Sequence, residues 1–189
     1  WEIDETGFAL WTLWRYYEFS QDQDYLEQVY PAIKRSADFL VKFRDPRTGL
    51  TRRAYESDET QKFQSFRGAL HAFLGLKYAL KAAEVMADTS SQEKWSDRKT
   101  ELEKLIFEKY YDPKCRRFVR FENFRGNCQE GTAGWEHAEI LWPAGLLEFS
   151  DPRAEDAAQW SWKEVEPSFI GKRDRGLYEM YGLLSLAKI

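Results

Sequence analysis

The sequence predicts an all-α fold in which helical hairpins form two layers of a partial toroid, and three observations support this prediction. Apolar residues recur every three or four positions through most of the 189-residue chain, which is the spacing of helices. Apolar, aromatic helices alternate with amphipathic helices that carry a charged face, which indicates an inner and an outer layer. Long loops alternate with tight ones, so the long loops gather on one side of the scaffold, where functional sites usually lie.

The first half of the chain contains three predicted helices. The first covers residues 4–20 and is rich in aromatic side chains. The pattern over residues 24–44 is amphipathic, and Pro31 within it predicts a short helical turn followed by the main helix, because proline lacks an N–H donor. A turn at residues 45–49 opens a polar, irregular segment. The helix predicted at residues 65–86 is apolar on most of its surface and should therefore be buried.

The second half of the chain continues the alternation. Ser90 and Ser91 are predicted to cap a charged helix that runs to about residue 110. Alternating residues at 117–121 predict a short strand, and a glycine-containing loop follows. Further helices are predicted at residues 135–149, at residues 152–166 and from Gly176 onward. The total is about seven helices, with no strand set able to form a main sheet.

The charge balance and composition exclude several classes of protein. There are 28 Lys and Arg residues against 32 Asp and Glu residues, so the chain lacks the basic excess of nucleic-acid-binding proteins. No apolar run approaches the roughly 18 residues that a membrane span requires. Hydrophobic residues make up 43% of the chain, which supports a packed core and argues against intrinsic disorder. We therefore expect neither nucleic acid nor a membrane as a partner.

The cysteines and histidines do not predict a metal site. Cys115 and Cys128 either pair across a short loop or remain free, which leaves the compartment open with the cytoplasm slightly favoured. His71 lies in the middle of a helix and His137 begins another, so both are predicted to be structural. These residues lack zinc-site spacing, and the chain contains no glycine-rich phosphate-binding motif. No cofactor and no metal is expected.

Four stretches carry a likeness to a known family. They are residues 1–14 (WEIDETGFALWTLW), 30–40 (YPAIKRSADFL), 45–50 (DPRTGL) and 111–120 (YDPKCRRFVR). In this order and spacing the chain resembles glycoside hydrolase family 15, the glucoamylase-like enzymes, mainly over residues 1–121. The resemblance implies an (α/α)6 barrel whose site lies in the loops that lead into inner helices. It also implies that residues 1–189 form one partial domain, truncated at both ends.

The resemblance implies an inverting, exo-acting α-glucosidase that releases glucose from α-glucans or oligosaccharides. Residues 55–60 (YESDET) align with the family stretch that carries the general acid, which assigns that role to Glu59. Asp58 stands where the family has Trp, and Thr60 where it has a second Glu. Losing the Trp removes an apolar wall of the kind that helps to raise the pKa of a catalytic carboxyl group. The alternative interpretation is that Glu56, Asp58 and Glu59 form a solvated acidic loop.

Inversion requires a second carboxylate about 6.5–9.5 Å from the first. The resemblance identifies none before Ile189, so the chain alone is expected not to hydrolyse glucosides. Other residues are expected to shape the substrate pocket: Trp1, Asp4, Tyr55, Asp58 and Arg173. The remaining tryptophans considered are expected to pack in the core or between helices: Trp11, Trp14, Trp142, Trp160 and Trp162.

Two other functions remain open. The chain is either a catalytically inactive carbohydrate-binding or regulatory relative, which the departures at Asp58 and Thr60 favour, or a helical-hairpin scaffold for protein partners. The expected partner of the leading interpretation is an oligosaccharide or α-glucan. An open half-barrel would also expose apolar surface, so we expect a tendency to self-associate.

Overall fold

The structure is a computed structural model, and it describes residues 2–56, 61–130 and 136–169. Within these residues the chain forms six α-helices, one short 3-10 helix and one two-stranded antiparallel sheet. The helices are α1 (Ile3–Ser20), α2 (Gln23–Lys42), α3 (Phe66–Val85), α4 (Thr89–Tyr110), α5 (Glu136–Leu141) and α6 (Pro152–Phe169). The strands are β1 (Tyr111–Asp112) and β2 (Arg117–Phe118), and the 3-10 helix is Glu122–Phe124. The helix predicted from Gly176 onward lies outside the described residues.

The chain divides into two compact units, Trp1–Ile106 and Phe107–Ile189. The expectation that residues 1–189 form a single partial domain stays a prediction. Among the described residues, no helix combines the length and the apolar character that crossing a bilayer requires. The same residues contain no group of three or more His, Cys, Asp or Glu side chains placed to hold a metal ion.

Helix α3 forms the centre of the first unit, as its apolar surface predicts. It packs against both α1 and α2, and most of its residues are buried. The contact with α1 is close because Gly7 lies against α3, where a Cβ atom would overlap the backbone oxygen of His71. His71 is itself buried, with its Nδ1 atom 3.2 Å from the backbone oxygen of Asp4. The structural role predicted for His71 agrees with these contacts.

Helix α2 is continuous, so the predicted break at Pro31 is wrong. Asp22 caps its first turn by accepting a hydrogen bond from the backbone N–H of Tyr25 at 2.9 Å. The apolar stripe runs through the proline without interruption, and Leu26, Ile33 and Leu40 on it are buried. Packing of this stripe on both sides of Pro31 outweighs the one backbone hydrogen bond that the proline removes.

Helix α4 begins at Thr89, before the predicted cap, because Asp88 rather than Ser90 or Ser91 accepts the capping bonds. The Asp88 carboxylate accepts hydrogen bonds from the backbone N–H of Ser91 at 3.2 Å and from its hydroxyl at 2.8 Å. It also binds two residues of α2, Lys34 at 2.6 Å and the Tyr30 hydroxyl at 2.9 Å. The Lys34 hydrogen bond is the largest of the effects that hold the pKa of Asp88 well below its usual range.

In the second unit, the last turn of α4 leads into a hairpin that a disulfide connects to the following loop. Strands β1 and β2 pair in antiparallel fashion, so the predicted strand exists but is shorter than predicted. Cys115 and Cys128 form a disulfide, one of the two alternatives that the sequence left open. His137 is buried, and its Nε2 atom accepts a hydrogen bond from the backbone N–H of Phe118 at 3.0 Å, in agreement with a structural role.

The two helices of the second unit differ from their predicted lengths. Helix α5 ends at Leu141 instead of residue 149, because Pro143 lacks an N–H donor and its ring would clash with the preceding turn. Helix α6 continues to Phe169, three residues beyond the predicted end at residue 166. On this helix Trp162 is 43% exposed, so of the two predicted environments, the core and a helix–helix contact, the core is excluded. Trp14, by contrast, is buried as predicted.

Candidate functional site

The N-terminal ends of α1 and α3 meet at a short extended segment of the first unit. Glu2 and Tyr55 form a parallel bridge, and the backbone N–H of Ile3 donates to the backbone oxygen of Tyr55 at 3.3 Å. Ser65, just before α3, accepts a hydrogen bond from the backbone N–H of Gly68 at 3.0 Å and so caps that helix. The segment that precedes residue 57 is attached to the start of α1 through Tyr55 and to the start of α3 through Glu56, which accepts a hydrogen bond from the Ser65 hydroxyl.

A buried ion pair joins the first turns of the two helices. Oδ2 of Asp4 on α1 lies 3.1 Å from Nη2 of Arg67 on α3, and both side chains are buried. Carboxylates also interact favourably with the positive end of a helix dipole, which Asp4 occupies in α1. Breaking such a pair is costly because it leaves a charge in a poorly solvated place. The pair therefore fixes the register of α1 against α3 at this end.

A second buried carboxylate, that of Glu56, lies in the polar segment between α2 and α3. Glu56 is 1% exposed, and its Oε1 atom accepts a hydrogen bond from the hydroxyl of Ser65. Further along the same base, the backbone groups of Ala54 and Phe63 exchange two hydrogen bonds of 2.9 and 2.8 Å. The interpretation of Glu56 as part of a solvated acidic loop is therefore wrong, because this carboxylate lies inside the protein.

Tyr55 presents part of its ring to solvent. It is 37% exposed, and the ammonium of Lys62 lies 5.2 Å from the ring centroid, within the range of a cation–π contact. Nearby on α1, a hydrogen bond with Glu2 is the largest effect that raises the pKa of Glu5. The surface at this end of the unit thus combines an accessible aromatic ring, a lysine and acidic groups.

The structure brings together two of the residues predicted for the site. Asp4 and Tyr55 lie on the two segments that the bond from Ile3 to Tyr55 joins. The other predicted residues lie outside the described residues: Trp1, Asp58, Glu59 and Arg173. Sequence reasoning missed Arg67 and Ser65, which hold the buried carboxylates Asp4 and Glu56. The signal for Ser65 was present, since a serine before an apolar helix is a cap.

Comparison with known proteins gives a structural relationship. No protein family and no curated protein sequence matches the chain. Among solved structures, the chain is similar to a rhamnosidase from Klebsiella oxytoca with rhamnose bound, with a TM-score of 0.65 and 13% sequence identity. The match covers 100% of this chain and 36% of that chain, so the chain spans about a third of the rhamnosidase.

At this level of identity the similarity shows the fold alone. The chain has an all-α fold similar to that part of the rhamnosidase, and the predicted all-α fold class is confirmed. No comparison supports family 15 in particular.

Proposed function

We propose that the chain is part of the catalytic domain of an inverting, exo-acting α-glucosidase of the glucoamylase type. Its substrates would be α-glucans or oligosaccharides, from which it releases glucose. The observation that supports the proposal is the hydrogen bond from the backbone N–H of Ile3 to the backbone oxygen of Tyr55. This bond attaches the beginning of α1 to the stretch that the family 15 resemblance assigns to the general acid.

In this proposal Glu59 is the general acid that protonates the glycosidic oxygen of the leaving group. Tyr55 offers an exposed ring face for stacking on a sugar, and Trp1 is a second stacking residue. Asp58 and Arg173 bind sugar hydroxyl groups. Asp4 is buried and paired with Arg67, so it contributes by holding the guanidinium at the pocket wall. The Glu56–Ser65 bond keeps the base of the loop rigid.

The proposal is tested with the natural protein that carries this chain. We expect it to release glucose from maltose and from a nitrophenyl α-glucoside, and we expect Glu59→Gln to lower kcat at least about 100-fold. Glu84→Gln, at an exposed position near the other end of α3, is the matched control and should leave kcat unchanged. Preferential cleavage of a nitrophenyl α-rhamnoside would contradict the glucoamylase type. Full activity of Glu59→Gln would contradict the role of Glu59.

The 189-residue chain by itself is expected to release no glucose, because the resemblance identifies no general base within it. A coupled assay measures glucose release. Release by this chain would contradict the prediction, because one of its own carboxylates would then have to act as the general base.

A catalytically inactive, carbohydrate-binding relative is the second candidate. Thr60 in place of the second family Glu, and Asp58 in place of the Trp, favour it. This candidate predicts saturable binding of acarbose without turnover of any glucoside. Absence of both binding and turnover would leave the helical scaffold for protein partners.

A further inference from the structure

The disulfide of the second unit lies in an exposed part of the chain. Cys128 is exposed and Cys115 is half-buried. Every residue from 122 to 130 other than Phe124 is exposed as well. A thiolate must reach a sulfur atom to break a disulfide, and exposed disulfides are among the labile ones. The Cys115–Cys128 bond is therefore accessible to a reductant while the protein stays folded.

The disulfide holds this loop over a buried arginine. Arg117 is 1% exposed, and its Nη2 atom donates hydrogen bonds to the backbone oxygens of Asn127 and Glu130. These two acceptors lie on either side of Cys128 in the sequence. The covalent bond at Cys128 therefore keeps both oxygens close to the guanidinium.

The buried position of this guanidinium is a costly one. Its two loop acceptors are neutral carbonyl groups, and its Nε atom has no hydrogen-bond partner among the described residues. Burial is the largest effect on the pKa of Arg117 and lowers it, against a smaller opposing effect of Asp112. Water would solvate the charge better than this environment does, so the cost of burial offsets the bonds to the loop.

The other contacts of the loop are few and mostly exposed. Asp112 accepts a hydrogen bond from the backbone N–H of Gly126 at 2.5 Å. Lys109 pairs with Glu122 at 2.9 Å, and Arg125 donates to a backbone oxygen of α4 at 2.7 Å. Exposed ion pairs of this kind contribute little to stability. The disulfide is therefore a major restraint on the loop.

The hairpin beneath the loop has its own attachments to the helices of the second unit. The backbone N–H of Phe118 donates to Nε2 of His137 on α5 at 3.0 Å. Nε1 of Trp160 on α6 donates to the backbone oxygen of Arg116, also at 3.0 Å. Neither bond involves residues 122–130. An opening of the loop can therefore occur while α5 and α6 stay folded.

We propose that the Cys115–Cys128 disulfide is a redox switch that controls how firmly residues 122–130 are held over Arg117. A dithiol reductant attacks one sulfur, forms a mixed disulfide and releases the other cysteine as a thiolate, which takes up a proton. The second thiol of the reductant then resolves the mixed disulfide, which leaves two cysteine thiols and the oxidised reductant. This proposal does not depend on the glycosidase activity proposed above.

The expected size of the effect follows from the length of the closed loop. Cysteines 13 positions apart close a loop for which the covalent bond changes the balance between closed and open chains by roughly 100-fold. Reduction should therefore raise the population of the open loop about 100-fold. Oxidised glutathione should restore the closed form, because exchange with it forms the disulfide again and releases two glutathione thiols.

The experiment measures hydrogen exchange by mass spectrometry in the natural protein that carries this chain, before and after treatment with dithiothreitol. Protected amides of the loop, such as that of Gly126, should exchange about 100-fold faster after reduction, since exchange follows the open population. Helix α6 should remain protected. Reoxidation with oxidised glutathione should return the loop to slow exchange.

Two variants serve as controls. Cys115→Ser with Cys128→Ser should exchange like the reduced protein and should not respond to dithiothreitol. Lys109→Gln removes the exposed ion pair with Glu122 and leaves the disulfide intact. It should change exchange of the loop less than about threefold and should keep the response to dithiothreitol.

Three outcomes would overturn the proposal. The first is that dithiothreitol leaves the disulfide of the folded protein intact, which maleimide uptake measures. The second is that residues 122–130 exchange at the same rate after reduction. The third is that α6 loses its protection together with the loop, because the disulfide would then support the whole unit and would not act as a local switch. None of these measurements requires either variant to fold.

Discussion

The two units of the molecule hold their long loops in place by different kinds of interaction. In the first unit, buried side chains at helix starts hold the loop base: Asp4 pairs with Arg67, and Ser65 binds Glu56. In the second unit, the Cys115–Cys128 disulfide closes the loop covalently. The interactions of the first unit depend on charge and burial, whereas that of the second unit is a covalent bond.

The second unit supplements its disulfide with bonds to the loop backbone. The carboxylate of Asp112 accepts hydrogen bonds from the backbone N–H groups of Lys114 at 3.0 Å and Gly126 at 2.5 Å. The buried side chain of Arg117 donates to the backbone oxygens of Asn127 and Glu130. These bonds require only main-chain groups of the loop, so its side chains remain free to vary. The first unit has less such freedom, because Ser65 and Glu56 must both be kept.

The largest effect on stability is expected from breaking the buried ion pair between Asp4 and Arg67. Arg67→Met should lower the free energy of unfolding by about 3–5 kcal/mol, because it leaves the buried carboxylate of Asp4 without its guanidinium. Urea unfolding followed by tryptophan fluorescence measures the change. Arg53→Met, which removes an exposed arginine, should change stability by less than about 0.5 kcal/mol. Equal stabilities of the two variants would mean that the Asp4–Arg67 pair does not hold the helices together.

The covalent fastening should give the next largest effect. Replacing both cysteines, Cys115→Ser with Cys128→Ser, should destabilise the second unit by about 3 kcal/mol, since the open chain gains conformational entropy when unfolded. Hydrogen exchange should accelerate over residues 112–130 and remain unchanged over residues 2–56. Acceleration in both ranges would show that the first unit also depends on the disulfide.

A third prediction concerns pH and the first unit. The pKa of Asp88 is lowered in the folded protein, chiefly by Lys34, so its stabilising effect is present above the unfolded pKa of about 3.9. This contribution is lost as the pH falls toward the lower folded pKa. Asp88→Asn should therefore be less stable than the unchanged chain at pH 7 by about 1–2 kcal/mol.

The difference between the two proteins should shrink as the pH falls below about 4, where the unfolded carboxyl group takes up its proton. Urea unfolding at pH 7 and pH 3 measures it. A difference that stays constant with pH would mean that Asp88 acts through packing and not through its charge.

The smallest expected effects compare one glycine from each unit. Gly49 and Gly126 both have positive φ angles, +76° and +87°, so alanine is strained at either position. A Cβ atom on Gly49 would lie 2.8 Å from Leu105, whereas one on Gly126 would meet nothing within 4 Å. Gly126→Ala should therefore cost about 1 kcal/mol and Gly49→Ala about 2 kcal/mol, measured by thermal unfolding. The reverse order would contradict the close fit of the turn against α4.

The sequence predicted the helices well because their periodic patterns are local. Residues 65–86 are apolar on most faces, and the corresponding helix α3 is buried. The cap of α4 was not predictable, since Asp88, Thr89, Ser90 and Ser91 are all good capping residues. Contacts of Asp88 with Lys34 and Tyr30 on α2 decide among them, and those contacts are far apart in sequence.

The candidate site shows the same limit. The resemblance identified Asp4 and Tyr55, but nothing local predicted that Arg67 would reach Asp4 from another helix or that Glu56 would be buried. Pro31 gives the opposite lesson: a strong local signal for a break was overridden by packing on either side of it. Pairings between distant residues must come from the three-dimensional arrangement.

The disulfide between Cys115 and Cys128 also changes the mass and the thiol content of the protein. Both cysteines of the chain are used in it, so an oxidised sample takes up no maleimide, whereas a reduced sample takes up one label on each cysteine. The oxidised chain is lighter by the two thiol hydrogens. Mass spectrometry of the protein isolated from its native source, with free thiols blocked at lysis, would therefore report whether its surroundings were oxidising or reducing.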